Sequence, residues 1–417
     1  MSKFRRMMCF LLSVVAFACL LPLPGAAQEI ALASEAAVLM DAESGQILYG
    51  KNMDSTMYPA SITKVLTGLL ALKYGKETDK VTMTQAGVSQ VPRTSSHIAL
   101  EPGEAFTMKD ALYALALVSA NDAAVAIAET VSGSVEDFAK LMNEEAEKLG
   151  AYNSHFVNPN GMPNQDHYTT ARDMALITAE ALKQEGFLTY FGAKSYEMPA
   201  TNLSAARPLV SKNQFIDGTF DCPGLLMSKT GWTRSALGTL VTAVKRGDTT
   251  LIAVTLKSPM LEDKYTDTLA LLDYGFANYR RVRLSQKLME RKMVAQGMDE
   301  DCSLEGYTPQ DVLIPQTAGE ADIAVTVPGG FDSSLGVSTV PASVDVKQED
   351  GTWVHVTDLL LTIRDPEPEV EALAETEGAE AAAEPEAKAI HPGAAILLGL
   401  AVVFFLFRFI GKRKITA

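Results

Sequence analysis

The chain has 417 residues, of which 47% are hydrophobic and 21% are charged, and its formal net charge at neutral pH is −15. This composition is typical of a globular protein with room for two domains, and it is not that of a disordered chain. The negative charge argues against a nucleic-acid partner, because no basic stripe is available to neutralise phosphates.

Residues 1–27 have the pattern of a secretory signal peptide. Three basic residues precede an apolar run from Met7 to Leu21, and small residues at 25–27 offer a cleavage site. A membrane anchor is the alternative, but the run is short for a span of about 20 residues. We therefore expect export from the cytoplasm.

The next region, residues 28–282, begins with a predicted hairpin and continues with helices. Two short apolar runs flank residues 43–45, which suggests an antiparallel turn. Thr107, Ser134 and Thr170 are predicted helix N-caps, because each is followed three residues later by an aspartate.

Strand-like sequence returns after residue 223. The stretch "LGTLVTAVKRGDTTLIAVTL" contains two β-rich runs joined by a turn at residues 246–248. A hairpin at each end of the region, with helices between, predicts an α+β domain. In that domain the two chain ends share an antiparallel sheet flanked by a helical cluster.

The C-terminal third predicts four further segments. Short strands separated by Pro, Gly and Asp indicate a small all-β domain at 283–364, and residues 365–391 form an acidic tether. An apolar run predicts a transmembrane helix at 392–411, and residues 412–417 form a basic cytoplasmic tail. We expect a protein held on the outer face of the cytoplasmic membrane by this helix.

Cysteine and histidine usage limits the remaining chemistry. Cys9 and Cys19 lie in the predicted signal peptide, so Cys222 and Cys302 remain, either as one disulfide or as two thiols. The five histidines show no ligand spacing, and the sequence predicts neither a metal site nor a cofactor.

The stretch "YPASITKVLTGLL" at residues 58–70 predicts a helix with one apolar face and an unexpected lysine. Ser61 and Lys64 are three residues apart, so their side chains can meet. A buried lysine with a lowered pKa can activate a serine as nucleophile. By itself the pair is a weak signal, and a solvent-exposed lysine is the simpler interpretation.

Two later motifs strengthen the catalytic interpretation. Ser119 and Asn121 lie between two helical runs, where helix capping is the alternative role. Lys229, Thr230 and Gly231 begin strand-like sequence, where a basic residue on an edge strand is the alternative. Such a strand could offer a cation and a hydroxyl to a substrate carboxylate, with the glycine admitting a substrate backbone.

The order Ser-x-x-Lys, Ser-x-Asn, Lys-Thr-Gly is the motif set of penicillin-binding proteins and class A β-lactamases. The sequence resembles the low-molecular-mass penicillin-binding proteins of the D-alanyl-D-alanine carboxypeptidase type over roughly residues 30–280. The segments that carry the resemblance are "YPASITK", "LVSANDAA", "NPNGMP", "HYTTARDMA", "KTGWT" and "DYGFANY". The resemblance implies a β-lactamase/transpeptidase-like fold, peptidoglycan stem peptides ending in D-Ala-D-Ala as substrates, and β-lactams as covalent inhibitors.

The resemblance also implies roles for individual residues. Ser61 would be the acyl-accepting nucleophile, Lys64 its base, and Ser119 a relay of the proton to the leaving amine. The substrate would be bound by Asn121 at its peptide backbone and by Lys229 with Thr230 at its terminal carboxylate, beside Gly231. The oxyanion hole would consist of the backbone N–H groups of Ser61 and Trp232.

Some features depart from the family or leave alternatives open. Ala236-Leu237-Gly238 stands where the family often has Ala-Gly, and His167 is expected to be structural. A β-lactamase would use the same motifs, but the Glu-x-x-Leu-Asn pattern of a deacylating base is missing. A non-catalytic peptidoglycan-binding or sensor module is the second alternative, although all three motifs are intact.

Overall fold

The computed structural model describes residues 30–328, 337–348 and 350–364. The predicted signal peptide, acidic tether, transmembrane helix and basic tail lie outside these described residues. Within the described ranges, we find no helix that combines the length and the hydrophobicity needed to cross a membrane.

The described residues form strands and helices, which are numbered along the chain. The strands are β1 (Ala36–Asp41), β2 (Ile47–Lys51), β3 (Lys80–Thr82), β4 (Ala105–Thr107), β5 (Ser195–Met198), β6 (Arg207–Val210), β7 (Leu225–Thr233), β8 (Leu237–Arg246), β9 (Thr249–Ser258), β10 (Tyr279–Leu284), β11 (Ser303–Glu305), β12 (Gln310–Pro315), β13 (Ile323–Thr326), β14 (Val337–Lys347) and β15 (Trp353–Arg364). The α-helices are α1 (Lys64–Tyr74), α2 (Gln85–Ser89), α3 (Met108–Leu117), α4 (Asn121–Ser132), α5 (Val135–Lys148), α6 (Ala171–Lys183), α7 (Phe187–Phe191), α8 (Asp263–Asn278) and α9 (Gln286–Val294). Two 3₁₀ turns lie at Ala60–Thr63 and Glu320–Asp322.

A five-stranded antiparallel sheet in the order β2-β1-β9-β8-β7 is the centre of the fold. The predicted hairpin at residues 43–45 joins β1 to β2, and the predicted turn at 246–248 joins β8 to β9. Strand β1 pairs with β9, so the two ends of the region share one sheet as expected. Strand β7, which contains the motif Lys-Thr-Gly, is one edge strand of this sheet.

Helices cover both faces of the sheet. The larger core lies on one face, where α1, α3, α4 and α6 pack around each other, and α8 covers the opposite face. The hydroxyl groups of Thr107, Ser134 and Thr170 each accept a bond from the backbone N–H three residues on. The three predicted N-caps are therefore confirmed. The mixed α/β architecture with an antiparallel sheet is also as expected.

The region after residue 283 is not purely β, contrary to the sequence prediction. Ser285 is the N-cap of helix α9, and its hydroxyl accepts a bond from the N–H of Leu288. The helix buries Leu288, Met289 and Met293. These apolar residues recur at helical spacing and pack under the four-stranded sheet β11-β15-β14-β13. Strand β15 also runs from Trp353 to Arg364 without a break at Asp358, although the sequence predicts short strands separated by Pro, Gly and Asp.

Cys222 and Cys302 do not form a disulfide with each other, so of the two alternatives the structure shows separate thiols. Cys222 is a free, buried thiol beneath the central sheet, and burial raises its pKa to about 11. Cys302 is buried in the separate core of the C-terminal β region.

Candidate active site

Ser61 lies in a tight turn that leads directly into a buried helix. Residues 60–63 form a 3₁₀ turn instead of the predicted first turn of an α-helix, because Ala60 has φ +50 and cannot continue helical geometry. Helix α1 then begins at Lys64. Its predicted apolar face is buried, but so are Lys64 and Thr67, since neighbouring helices surround it.

The Lys64 side-chain amine is fully buried and hydrogen-bonded to three oxygens. Its Nζ donates to Ser61 Oγ at 3.1 Å, to Asn121 Oδ1 at 2.7 Å and to the backbone oxygen of Asn160 at 2.6 Å. Burial lowers the pKa of Lys64 well below its usual value, the charge of Lys229 lowers it further, and Asp122 partly opposes them. The simpler interpretation of an exposed lysine is therefore wrong.

Ser119 and Asn121 lie in the connection between α3 and α4. The N-cap of α4 is Ala120, which makes no side-chain cap bond, so the alternative of helix capping is also wrong. Ser119 has φ +57, an uncommon conformation for a residue with a side chain. Strained backbone of this kind clusters at functional sites, and it costs roughly 1–3 kcal/mol per residue.

Lys229 projects from the edge strand β7 toward the same connection. Its Nζ donates to Ser119 Oγ at 3.0 Å and to the backbone oxygen of Thr230 at 2.8 Å. The side chain is 2% exposed, so it is not the solvated edge lysine of the alternative interpretation. Burial lowers its pKa to about 7, with a smaller contribution from the charge of Lys264.

Gly231 brings β7 against the turn that carries Ser61. A Cβ atom at this position would lie 2.8 Å from the Ser61 nitrogen and 3.0 Å from the Pro59 oxygen. On the neighbouring strand, Thr239 donates its hydroxyl to the same Pro59 oxygen at 2.9 Å. The glycine therefore lets the strand and the turn meet. Trp232, the next residue, is 58% exposed at the surface.

The segment Asn-Pro-Asn-Gly at 158–161 supplies a wall of the site to which the sequence assigned no role. Besides the Asn160 oxygen that binds Lys64, Gly161 has φ +80 and its Cβ position lies 1.8 Å from the Ala60 oxygen. The Asn158 side chain accepts a bond from the Gly161 N–H at 2.8 Å and holds the turn. The sequence signals for this segment are its turn-forming composition and its place in the stretch "NPNGMP" that resembles the family.

Comparison with known proteins agrees with this geometry. The family described as D-alanyl-D-alanine carboxypeptidase matches residues 24–260. The D-alanyl-D-alanine carboxypeptidase DacF of Bacillus subtilis is 37% identical over 256 residues, which are 60% of this chain and 64% of DacF. The chain belongs to the D-alanyl-D-alanine carboxypeptidase family.

Two further relatives extend the comparison. DacA of Haemophilus influenzae is 30% identical over 289 residues, 67% of this chain and 71% of that protein. The crystal structure of penicillin binding protein 5 from Haemophilus influenzae superposes with a TM-score of 0.66 at 24% identity, covering 82% of this chain and 99% of that one. This likeness shows the penicillin-binding-protein fold.

In this carboxypeptidase-family site, Lys264 is a cation that the sequence did not indicate. It lies at the start of α8 and is only 5% exposed, with its side chain close to Gly238 and its Nζ 5.1 Å from the centre of the Tyr265 ring. Burial lowers its pKa. A single lysine at a helix start carries no motif, so only the fold reveals its proximity to Lys229.

His167 is structural, as expected from the sequence. It is 1% exposed, its Nε2 lies 2.9 Å from Thr63 Oγ1, and its Nδ1 accepts a bond from the Val157 N–H at 3.1 Å. Burial, followed by the nearby charges, lowers its pKa to about 3. The ring is therefore neutral at physiological pH and braces the 3₁₀ turn that contains Ser61. Within the described ranges, no group of side chains is arranged to hold a metal ion.

Proposed function

We propose that the protein is a serine-type D-Ala-D-Ala carboxypeptidase that removes the terminal D-alanine from peptidoglycan stem peptides and is acylated by β-lactams. The observation that carries the proposal is the contact of a fully buried Lys64 amine of lowered pKa with Ser61 Oγ. A serine needs a base to become nucleophilic, and a lysine serves as one only when its neutral form is accessible.

In the acylation step, the neutral amine of Lys64 takes the Ser61 proton while the serine oxygen attacks the carbonyl carbon of the penultimate D-alanine. The N–H groups of Ser61 and Trp232 stabilise the oxyanion. Collapse of the tetrahedral intermediate breaks the peptide bond. Ser119 gives its hydroxyl proton to the departing nitrogen and is reprotonated by the Lys64 ammonium, which returns Lys64 to its neutral form. Water then attacks the acyl-enzyme, returns the proton to Ser61 and releases the shortened peptide.

Substrate binding uses the residues around this pair. The terminal carboxylate approaches Lys229 and Thr230, and the bond between Lys229 Nζ and Ser119 Oγ places the proton relay beside the leaving group. Asn121 binds the substrate backbone. Because its Oδ1 also accepts a bond from Lys64, Asn121 holds the base in place as well. Residue Gly231 keeps the strand edge close to Ser61.

We further propose the domain organisation and location expected from the sequence. The catalytic domain spans 28–282 and the β region 283–364, and the tail carries a tether and an anchor at 392–411. The chain would then be exported and held outside the cytoplasmic membrane. Truncation after residue 391 should move the protein from the membrane fraction to the soluble exported fraction, and retention in the membrane would contradict the anchor.

The activity is tested by incubating the full chain with a stem pentapeptide ending in D-Ala-D-Ala and measuring free D-alanine. Wild type should release it, Ser61→Ala should not, and Ser303→Ala, which changes an exposed serine of β11, should match wild type. A labelled penicillin should remain bound to wild type for many minutes. Rapid turnover of the β-lactam would indicate a β-lactamase, and no D-alanine release would indicate a binding module.

A further inference from the structure

A cleft beside the proposed catalytic serine has no role in the mechanism above. It has a volume of about 340 Å³ and extends from Met57 and Tyr58, just before the Ser61 turn, to Ser235 and Ala236, just after β7. Its walls therefore continue the two elements that carry the proposed nucleophile and the proposed carboxylate site. A ligand extended along β7 would enter this cleft on leaving the site.

The direction of the substrate along β7 is set by the proposed function. If the terminal carboxylate lies at Lys229 and Thr230, the carbonyl under attack lies near Gly231, opposite Ser61. A strand advances about 3.3 Å per residue, so the residue before the two D-alanines lies about two positions further, at the end of β7. This third residue of the stem peptide therefore lies at the mouth of the cleft, near Ser235.

The cleft contains one ion pair. Lys257 Nζ lies 2.6 Å from Glu35 Oε2, and the two side chains are 40% and 51% exposed, so both heads can be reached from solvent. Because their formal charges cancel, the pair presents a positive and a negative end side by side. It offers no net charge to an approaching group.

We propose that this cleft binds the third side chain of the stem peptide and that Glu35 with Lys257 selects a side chain ending in an ammonium and a carboxylate on one carbon. This inference rests on the proposed function for the direction of the substrate. Such a zwitterionic end pairs its ammonium with Glu35 and its carboxylate with Lys257, which completes a ring of four alternating charges.

A side chain with a single charge gains much less from the same pair. An ammonium alone, as in lysine, is attracted by Glu35 and repelled by Lys257 at nearly the same distance. A carboxylate alone is attracted by Lys257 and repelled by Glu35. Since half-exposed ion pairs are weak, each matched contact should change affinity only about twofold to fivefold.

The test measures binding to the full chain carrying Ser61→Ala, so that it does not depend on turnover. Three pentapeptides ending in D-Ala-D-Ala differ only at the third residue, which is diaminopimelate, lysine or α-aminopimelate. We expect the diaminopimelate peptide to bind about threefold to tenfold more tightly than either of the others. Equal affinities for the three peptides, or no measurable binding, would overturn the proposal.

Removing one charge of the ion pair should change the affinities for the lysine and α-aminopimelate peptides in opposite directions, which a merely structural role of the pair would not do. Lys257→Gln leaves Glu35 unbalanced and should strengthen the lysine peptide while weakening the α-aminopimelate peptide. Glu35→Gln should do the opposite. The matched control is Arg234→Gln, an exposed cation in the turn between β7 and β8, next to Ser235, that does not line the cleft. It should leave the order of the three affinities unchanged, and a change equal to that of Lys257→Gln would overturn the assignment to the pair.

The same peptides separate this inference from the proposed function. With the catalytic serine present, D-alanine release from all three peptides at similar kcat/KM would support the carboxypeptidase and refute the subsite. Selective binding of the diaminopimelate peptide without D-alanine release would support the subsite and refute the carboxypeptidase.

Discussion

Substitution of Gly231 by alanine tests how closely β7 and the Ser61 turn must meet. The new Cβ would lie 2.3 Å from Thr239 Oγ1, 2.8 Å from the Ser61 nitrogen and 3.0 Å from the Pro59 oxygen. Two of these three atoms belong to backbone and cannot rotate away. The turn that holds Ser61 must therefore move relative to the strand, or the strand must move away from the turn.

The size of the movement follows from these distances. Ordinary contact begins near 3.4 Å, so the gap falls short by about 0.6 Å at the Ser61 nitrogen and by about 1.1 Å at Thr239 Oγ1. A misplacement of about 1 Å at a reacting group can cost about 100-fold in rate. We therefore expect kcat for D-alanine release to fall about tenfold to 100-fold. Overpacking should also lower the free energy of unfolding by about 1–3 kcal/mol.

The assay compares kcat, KM and denaturant unfolding for three variants and wild type. Thr239→Ala in combination with Gly231→Ala relieves the shortest contact but leaves the one to the Ser61 nitrogen, so it should recover stability more than kcat. Gly319→Ala is the matched control, because its Cβ position has no heavy atom within 4 Å and its φ is −115. Wild-type kcat in Gly231→Ala would refute the steric argument.

Three further predictions concern the titratable groups. Lys64→Met should reduce both D-alanine release and penicillin acylation about 10²–10⁴-fold, the usual contribution of a general base, and a loss below tenfold would contradict the assigned role. Lys229 has its pKa lowered to about 7, so kcat/KM should fall above about pH 7 as the charge of Lys229 is lost. Lys264→Met removes one cause of that shift and should move the fall in kcat/KM to higher pH, whereas Lys264→Arg should leave it in place. An unmoved pH profile in Lys264→Met would contradict the coupling. His167 has a pKa of about 3 in the folded protein against an ordinary value of 6.5, so the unfolded chain binds the extra proton first as pH decreases. The free energy of unfolding should therefore fall by about 2 kcal/mol between about pH 6.5 and 5. His167→Asn should lack this loss, and an unchanged dependence of the unfolding free energy on pH in that variant would contradict the argument.

Much of the catalytic-region fold could be predicted because its signals are local. The N-caps at Thr107, Ser134 and Thr170 each consist of a hydroxyl and a backbone N–H three residues away. The hairpin at 43–45 is likewise marked by neighbouring residues. Helix α9 was missed since its turn-rich surroundings suggested strands, and its helical spacing extends over only nine residues.

The site was predictable to the extent that its residues form ordered motifs. The structure brings Ser61, Lys64 and Asn121 together, and joins Ser119 to Lys229, as the motif set implies. The Asn160 oxygen could not be found in this way, because a backbone carbonyl has no residue-type signature. Lys264 could not be predicted for a related reason. Its charge lowers the pKa of Lys229, which is distant in sequence, from a helix that carries no motif.

The two causes that lower the pKa of Lys64, burial and the charge of Lys229, would respond differently to substrate binding. The charge of Lys229 contributes to that lowering, but a substrate carboxylate at Lys229 would neutralise this contribution at the moment when a neutral Lys64 is needed. Burial is the larger cause, and it does not depend on the charge of Lys229. The fully buried position of Lys64 at the start of α1 would therefore continue to lower the pKa of its amine in the complex. A more exposed lysine paired only with a neighbouring cation would become protonated on binding substrate and could no longer accept the serine proton.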